Sequence, residues 1–243
     1  MSRNTLPVSR LFAFTLMLFA SMASHADNNT RNVASTETAS SSAMPLTPLS
    51  RDNTVLLLVD HQIGLFTGVR DIPVAELTHN VVGLAKAAKT LGIPVVLTAT
   101  MPDGMWGPTI PELKAALPGV DVIARTSINA WDDPKVRAAI EKTGRKQVLI
   151  AGVSLEVCAM QPALSAKMAG YDSRVVLDAS GTFGDAKRTV ALARLAGTGV
   201  PITDYASAAI EMLGDNTDPK AVQVYSDVDM PFAKLVWQLK NIH

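Results

Sequence analysis

The sequence contains a single cysteine, Cys158, so it cannot form an internal disulfide bridge. An unpaired cysteine is a buried inert thiol, a site of intermolecular pairing or a reactive group. Lone cysteines are more often buried and inert than catalytic, so the number alone favours the first alternative. A catalytic role for Cys158 therefore has to be argued from the residues around it.

The sequence also lacks an excess of charge of either sign. Its 22 Lys and Arg residues balance 22 Asp and Glu residues, and the sequence pI is about 6.9. A net charge of zero gives no electrostatic basis for binding nucleic acid or an anionic membrane surface. With 48% hydrophobic residues in a chain of 243, the composition indicates one globular domain with appendages, acting on a small molecule.

Residues 1–26 have the layout of a secretory signal peptide. Arg3 and Arg10 form a basic region, and Leu11 to Met22 is an apolar stretch too short to span a bilayer comfortably. Small residues then lead to a predicted cleavage site after Ala26. An uncleaved anchor is less favoured because the apolar stretch is short, and no cysteine is present here to carry a lipid. The segment predicts a periplasmic or secreted protein without stable membrane association after cleavage.

The segments that flank the predicted domain, residues 52–213, differ from it in composition. Residues 27–51 are rich in Ser, Thr, Asn and Ala, which indicates a flexible leader. Residues 214–243 form a less regular tail with one predicted helix, Met230 to Leu239, whose apolar residues share one face. These residues are Phe232, Leu235, Val236 and Leu239. The face is expected to pack either on its own domain or against a neighbouring subunit, and the sequence does not separate the two.

Within the domain, apolar runs alternate with helical patterns. The runs predict strands at 55–59, 95–97, 120–124, 148–151, 173–177 and 200–203. Helices are predicted at 75–91, 111–117, 134–143, 185–196 and 206–213, with a further helix from the end of the fourth strand to about residue 170. This alternation predicts a parallel sheet covered on both faces, a three-layer α/β/α fold.

Three chemically active residues are predicted at the carboxyl edge of this sheet, where such folds bind ligands. Asp60 follows the first strand, Arg125 follows the third, and Cys158 lies about one turn into the helix after the fourth. A helix start favours the thiolate through its dipole and free N–H groups. Each residue also has a structural interpretation: Asp60 as a turn cap, Arg125 as a surface cation paired with Asp121 or Asp132, and Cys158 as core.

Four segments resemble those of the isochorismatase-like cysteine hydrolases, most closely a metal-free subgroup of octameric hydrolases. They are LLLVDHQIGLF (56–66), VIARTSINAW (122–131), LIAGVSLEVCAMQPALSAKMAGY (149–171) and DASGTF (178–183). The resemblance implies that Asp60 is a general base and later an acid, and that Cys158 is the nucleophile. It also implies an oxyanion hole made by the N–H groups of Ser154 and Cys158, with a cis peptide bond between Val153 and Ser154.

Two positions depart from the family pattern. Arg125 replaces the usual catalytic lysine, keeping the positive charge expected to lower the thiol pKa and anchor Asp60, but as a bulkier group that cannot give up its proton. Leu155 replaces a threonine that often precedes the cysteine.

The resemblance also bears on metals and on a substrate pocket. Nicotinamidases of this family bind a divalent ion through an aspartate and two histidines, whereas His61, His79 and His243 lack that spacing. No metal or other cofactor is therefore expected. The residues expected to line the substrate pocket, or alternatively to pack in the core or between subunits, are Gln62, Phe66, Trp106 and Trp131.

The sequence thus predicts an exported, homo-oligomeric cysteine hydrolase that cleaves a C–N bond of a small amide-like substrate through a thioester. Two alternatives stay open. One is an isochorismatase-type vinyl-ether hydrolase, which needs no cysteine, and the other is a catalytically silent scaffold of the same fold, which the substitution at Arg125 allows.

Overall fold

The computed structural model of the protein describes residues 47–240. The strands are β1 (Thr54–Val59), β2 (Val95–Thr100), β3 (Val122–Arg125), β4 (Gln147–Gly152), β5 (Asp172–Val176) and β6 (Ile202–Thr203). The α-helices are α1 (Ile63–Phe66), α2 (Val74–Leu91), α3 (Pro111–Ala116), α4 (Pro134–Lys142), α5 (Met160–Met168), α6 (Asp185–Thr198), α7 (Tyr205–Leu213), α8 (Ala221–Val228) and α9 (Pro231–Lys240). A 3₁₀ turn, Ala130–Asp132, precedes α4, and a π-helical turn, Leu155–Ala159, precedes α5.

The six strands form one parallel sheet in the order β3-β2-β1-β4-β5-β6. The chain builds one half of the sheet outward from β1 and the other half outward from β4, so the strand order reverses between these two central strands. Val59 pairs with Gly152 at their carboxyl ends. Ligands of open α/β sheets bind at such a reversal point, so the expected site lies directly above β1 and β4.

The two central strands are buried on both faces. All six residues of β1 and all six of β4 are buried, which explains why each reads as a continuous apolar run. Leu56 and Leu58 contribute to a cluster that includes residues of α2, α7 and α8, whereas Val55 and Leu57 contribute to one that includes residues of α4, α5 and α6. Helices therefore cover the sheet on both faces, and the predicted three-layer α/β/α fold is confirmed.

Several elements differ from the sequence-based prediction. β3 starts at Val122 and ends at Arg125, so this arginine is the last residue of the strand and does not follow it. The helices α1 and α8 and the 3₁₀ turn were not predicted. Helix α8 contacts α2, and its residues Val224 and Val228 are fully buried, so the segment after residue 213 contributes to the core.

The predicted signal peptide and most of the predicted leader lie outside the described residues. The last part of that leader, residues 47–51, is fixed by contacts with the domain. Leu49 is buried and its N–H donates to Glu211 at 2.7 Å, while the Ser50 N–H donates to the Gln147 side chain at 2.9 Å. Between residues 47 and 240, no helix has the length and apolar character needed to cross a membrane.

Candidate active site

Asp60 stands immediately after β1 with its carboxylate turned toward the end of β2. Its φ of 58° lies in the left-handed region that aspartate tolerates better than most side chains, and the residue is fully buried. The carboxylate accepts hydrogen bonds from the Thr100 N–H at 2.9 Å and from Nη2 of Arg125. Burial raises the pKa of Asp60, and the neighbouring Arg125 charge partly offsets this effect.

Arg125 is an internal cation and not a surface one. Its side chain is fully buried and forms an ion pair with Asp60. Nη1 donates to two successive backbone carbonyls, those of Ser127 and Ile128, the latter at 3.0 Å. The fork-shaped guanidinium thus holds both the carboxylate and the loop after β3. The structural alternative, pairing with Asp121 or Asp132 at the surface, is wrong.

Cys158 lies inside the π-helical turn and not at the start of a regular α-helix. Cys158 is 8% exposed, and its thiol lies close enough to the Asp60 carboxylate for each group to shift the pKa of the other. Burial raises the pKa of the Cys158 thiol well above its usual value, and the Asp60 charge raises it further. The expected lowering of the thiol pKa is therefore wrong, because desolvation outweighs the charge of Arg125 and the hydrogen bond from the backbone.

The backbone around the thiol has the cis peptide bond between Val153 and Ser154. Of the two N–H groups expected to form an oxyanion hole, that of Cys158 donates to the Ser154 carbonyl at 2.7 Å. The N–H of Ser154 interacts with the Cys158 thiol, whose pKa it lowers. An oxyanion formed on attack by the Cys158 sulfur would therefore meet the Ser154 N–H beside that sulfur, and the Cys158 N–H, which it must share with a carbonyl of the same turn.

Gly152 allows this turn to lie directly on the end of β4. A Cβ atom at this position would be 2.8 Å from the carbonyl carbon of Cys158 and 2.9 Å from its oxygen. These are backbone atoms, which cannot move aside as a flexible side chain can. Glycine is therefore required where the strand passes beneath the nucleophile turn.

We expect the Gly152→Ala variant to lose about 1–3 kcal/mol of unfolding free energy through this overpacking. Chemical denaturation measures the loss. Gly197→Ala, in α6, is the matched control, since no atom lies within 4 Å of the added Cβ and alanine favours a helix by about 0.5–1 kcal/mol. A Gly152→Ala protein as stable as wild type would contradict the close approach.

Residues 179–182, which follow β5, form hydrogen bonds to the residue next to Asp60 and to the end of β4. His61 lies next to Asp60, and its Nε2 is 2.9 Å from the carbonyl of Ala179. Burial lowers the pKa of His61 to about 4, so this histidine is neutral at pH 7. The Ser180 hydroxyl accepts from the Gly152 N–H at 3.1 Å and donates to the Val176 carbonyl at 2.7 Å.

The sequence by itself indicates no role in the site for His61 or Ser180. The resemblance of DASGTF to the family marked this segment only as a whole. The available signal was a run of small polar residues directly after a buried strand, at the same sheet edge as Asp60.

Of the four residues expected to line a pocket, the three aromatic ones are divided between the two faces of the sheet. Trp131 lies in the same core cluster as Cys158, and its ring stacks edge-on against Tyr171 with centroids 5.3 Å apart. Phe66 and Trp106 belong to the cluster on the other face of the sheet. Phe66 lines a groove of about 400 Å³ there.

Gln62, the fourth of these residues, is fully buried and bonded to the backbone. Its amide nitrogen donates to the carbonyls of Thr100 at 2.9 Å and Gly107 at 2.6 Å, and its oxygen accepts from the Thr100 N–H at 3.1 Å. Gln62 therefore fixes the loop after β2. Among the described residues, no group of three or more His, Cys, Asp or Glu side chains is placed to hold a metal ion.

The fold and site together describe an α/β protein with a thiol close to a paired carboxylate and guanidinium above its central strands. The model of the Isochorismatase domain matches residues 54–207, more than half of the chain. The chain therefore belongs to the isochorismatase family.

Individual proteins of this kind are also similar over most of their length. The protein named Probable hydrolase YcaC from Escherichia coli (strain K12) is 43% identical over 172 residues, which are 70% of this chain and 83% of that protein. The crystal structure of the Escherichia coli YcaC gene product, described as an octameric hydrolase of unknown specificity, has a TM-score of 0.77 at 37% identity and covers 82% of this chain and 99% of its own. YcaC from Pseudomonas aeruginosa, solved with hexane-2,5-diol and covalent acrylamide, has a TM-score of 0.75 at 37% identity, covering 80% and 98%.

Proposed function

We propose that this isochorismatase-family hydrolase cleaves the C–N bond of a small amide through a thioester on Cys158. One observation carries the proposal: Asp60 is paired with Arg125 in a buried site, close enough to the Cys158 thiol for the carboxylate to act on the thiol pKa. A nucleophile, a base and a group that orients the base are the parts that covalent acyl transfer needs.

The raised pKa values of the Cys158 thiol and the Asp60 carboxyl determine how the nucleophile is activated. The thiol is protonated at neutral pH because burial and the Asp60 charge raise its pKa. Attack therefore requires that the proton passes to Asp60, whose pKa is itself raised, as the Cys158 sulfur bonds to the carbonyl carbon. Arg125 remains charged throughout and stabilises the site while the proton is on Asp60 or on sulfur.

The later steps reuse the same groups. The negative oxygen of the tetrahedral intermediate accepts from the N–H groups of Ser154 and Cys158. Asp60 returns its proton to the departing nitrogen, and the C–N bond breaks to leave the thioester. Asp60 then takes a proton from the water that attacks the thioester, and returns this proton to the Cys158 sulfur as the C–S bond breaks and the acid is released. No metal or cofactor takes part in this scheme.

The structure of the relative from Pseudomonas aeruginosa contains a small amide-bearing molecule. This molecule is covalent acrylamide, an electrophile that carries a primary amide. A panel of small primary and secondary amides, assayed for acid and amine release with wild type and with Cys158→Ala, tests the proposal. Hydrolysis of one member by wild type alone is the expected result.

We further propose that the protein is a homo-oligomer and that α9 contributes to the contact between copies. The octameric state of the Escherichia coli relative supports assembly. The apolar face of α9 is exposed in the single chain, so it is not packed on its own domain. Its exposed residues are Phe232 (59%), Leu235 (60%), Val236 (58%) and Leu239 (65%). An exposed apolar stripe of this kind favours contact with a second copy.

We expect Leu235→Glu to shift the protein to a smaller assembly, because a carboxylate buried in an apolar contact is strongly unfavourable. Light scattering coupled to size exclusion measures the mass. Val222→Glu, at an 84% exposed position of α8, is the matched control and should keep the wild-type mass. An unchanged mass for Leu235→Glu would show that α9 lies outside the contact.

A further inference from the structure

The nucleophile turn is attached to a second segment of the chain besides its own helix. The Leu155 N–H donates to the Gly181 carbonyl at 3.0 Å, and the next residue of the turn, Glu156, accepts a hydrogen bond from the Thr182 hydroxyl. Two successive residues of the turn are thus bonded to two successive residues of the segment after β5. Glu156 lies only two positions before Cys158.

The N–H, the carbonyl and the hydroxyl of Thr182 all form hydrogen bonds. The residue is fully buried, its N–H donates to Oδ1 of Asp71 at 2.6 Å, and its carbonyl accepts from the Arg70 N–H at 2.9 Å. The second oxygen of Asp71 accepts from Arg188 of α6 at 2.7 Å, and the Asp71 side chain is itself fully buried. The threonine hydroxyl therefore reaches Glu156 from a position fixed by the loop before α2 and by α6.

The segment after β5 is closely packed at Gly181. A Cβ atom on Gly181 would be 2.7 Å from the Leu77 side chain of α2 and 3.0 Å from that of Val69. The segment is thus packed against the helix layer on one side and bonded to the nucleophile turn on the other. Hydrogen bonds to a carboxylate are stronger than those between neutral groups, so the contact between Thr182 and Glu156 is the strong part of this attachment.

We propose that Thr182 is a positioning residue that, through Glu156, holds the nucleophile turn so that Cys158 stays in contact with Asp60. The catalytic consequence of this role rests on the proposed function, whereas the contact between Thr182 and Glu156 does not. The hydroxyl donates its hydrogen bond to Glu156 and not to the thiol. Its effect is to keep the sulfur where the carboxylate can take the proton, and a small displacement of a reacting group can cost a large factor in rate.

The test compares Thr182→Val, which removes only the hydroxyl, with Thr182→Ser, which keeps it. Thr54→Val is the matched control, since Thr54 is also fully buried and donates its hydroxyl to a side-chain oxygen, that of Gln147 at 3.1 Å, but at the opposite end of β1. Amide hydrogen exchange of the 153–160 peptide measures the turn, and the rate of Cys158 alkylation by acrylamide measures the thiol.

We expect faster exchange of the 153–160 peptide in Thr182→Val, near wild-type exchange in Thr182→Ser, and no change in Thr54→Val. Alkylation should slow by at least about tenfold in Thr182→Val and lose its dependence on Asp60, so that adding Asp60→Asn has little further effect. Exchange of this peptide at the wild-type rate in Thr182→Val would overturn the proposal. Alkylation of wild type that does not depend on Asp60 would instead overturn the proposed role of Asp60 as the base, while the exchange result would still decide the role of Thr182.

Discussion

Replacing Cys158 by alanine should abolish amide hydrolysis, with a loss of at least about 1,000-fold for any amide that the wild-type protein cleaves. The reason is that the remaining groups have no other nucleophile to activate in the same place. Asp60 accepts its proton from the thiol and is otherwise surrounded by Arg125 and the Thr100 N–H. The measurement is the steady-state rate of acid release at saturating amide.

The Cys158→Ala protein should otherwise be close to wild type, which makes the loss interpretable. Removing one sulfur atom from a site that is 8% exposed leaves only a small cavity, so the unfolding free energy should change by about 1 kcal/mol or less. Hydrolysis that survives in Cys158→Ala would contradict the thioester. It would favour chemistry by Asp60 alone, as in the vinyl-ether alternative, since burial of Asp60 also favours its protonated form.

The central sheet could be predicted from sequence because burial on both faces leaves a simple signal. The runs that form β1 and β4 contain almost no polar residues, and the chain between them has clear helical periodicity. Helix α8 is different, since its sequence, AVQVYSDV, is short and mixed in character. It forms because Val224 and Val228 pack against α2, a tertiary contact that no local pattern reveals.

Much of the arrangement of the site also followed from topology. The carboxyl ends of parallel strands share one edge, so residues after β1, at the end of β3 and after β4 had to lie near each other. The roles of Asp60, Arg125 and Cys158 are implied by the family resemblance and do not follow from the spacing of these residues in the sequence. The sign of the Cys158 pKa shift was missed because it depends on desolvation in the folded protein, which exceeds the effect of a nearby helix start. The contact of Thr182 with Glu156 depends on side-chain positions in the folded protein, so it could not be predicted from the sequence either.

Arg125 forms a buried ion pair with Asp60, and its removal should have the largest effect on stability. In an Arg125→Met protein, the Asp60 carboxylate would stay buried without its counter-charge, and the carbonyls of Ser127 and Ile128 would lose their donor. Breaking one side of a buried ion pair typically costs about 3–5 kcal/mol. We expect a loss of this size in the free energy of unfolding, measured by chemical denaturation at a fixed protein concentration.

A double variant separates the charge from the shape of the side chain. Adding Asp60→Asn to Arg125→Met removes the unpaired charge, so the double variant should be more stable than Arg125→Met alone. Arg174→Met is the comparison for a less buried pair, because Arg174 bonds to Asp172 and Glu211, which are 27% and 33% exposed and remain solvated when the arginine is lost. Its cost should be smaller than that of Arg125→Met. If Arg125→Met lost less than about 1 kcal/mol, or if the double variant were the less stable of the two, the charge on Arg125 would not be what stabilises Asp60.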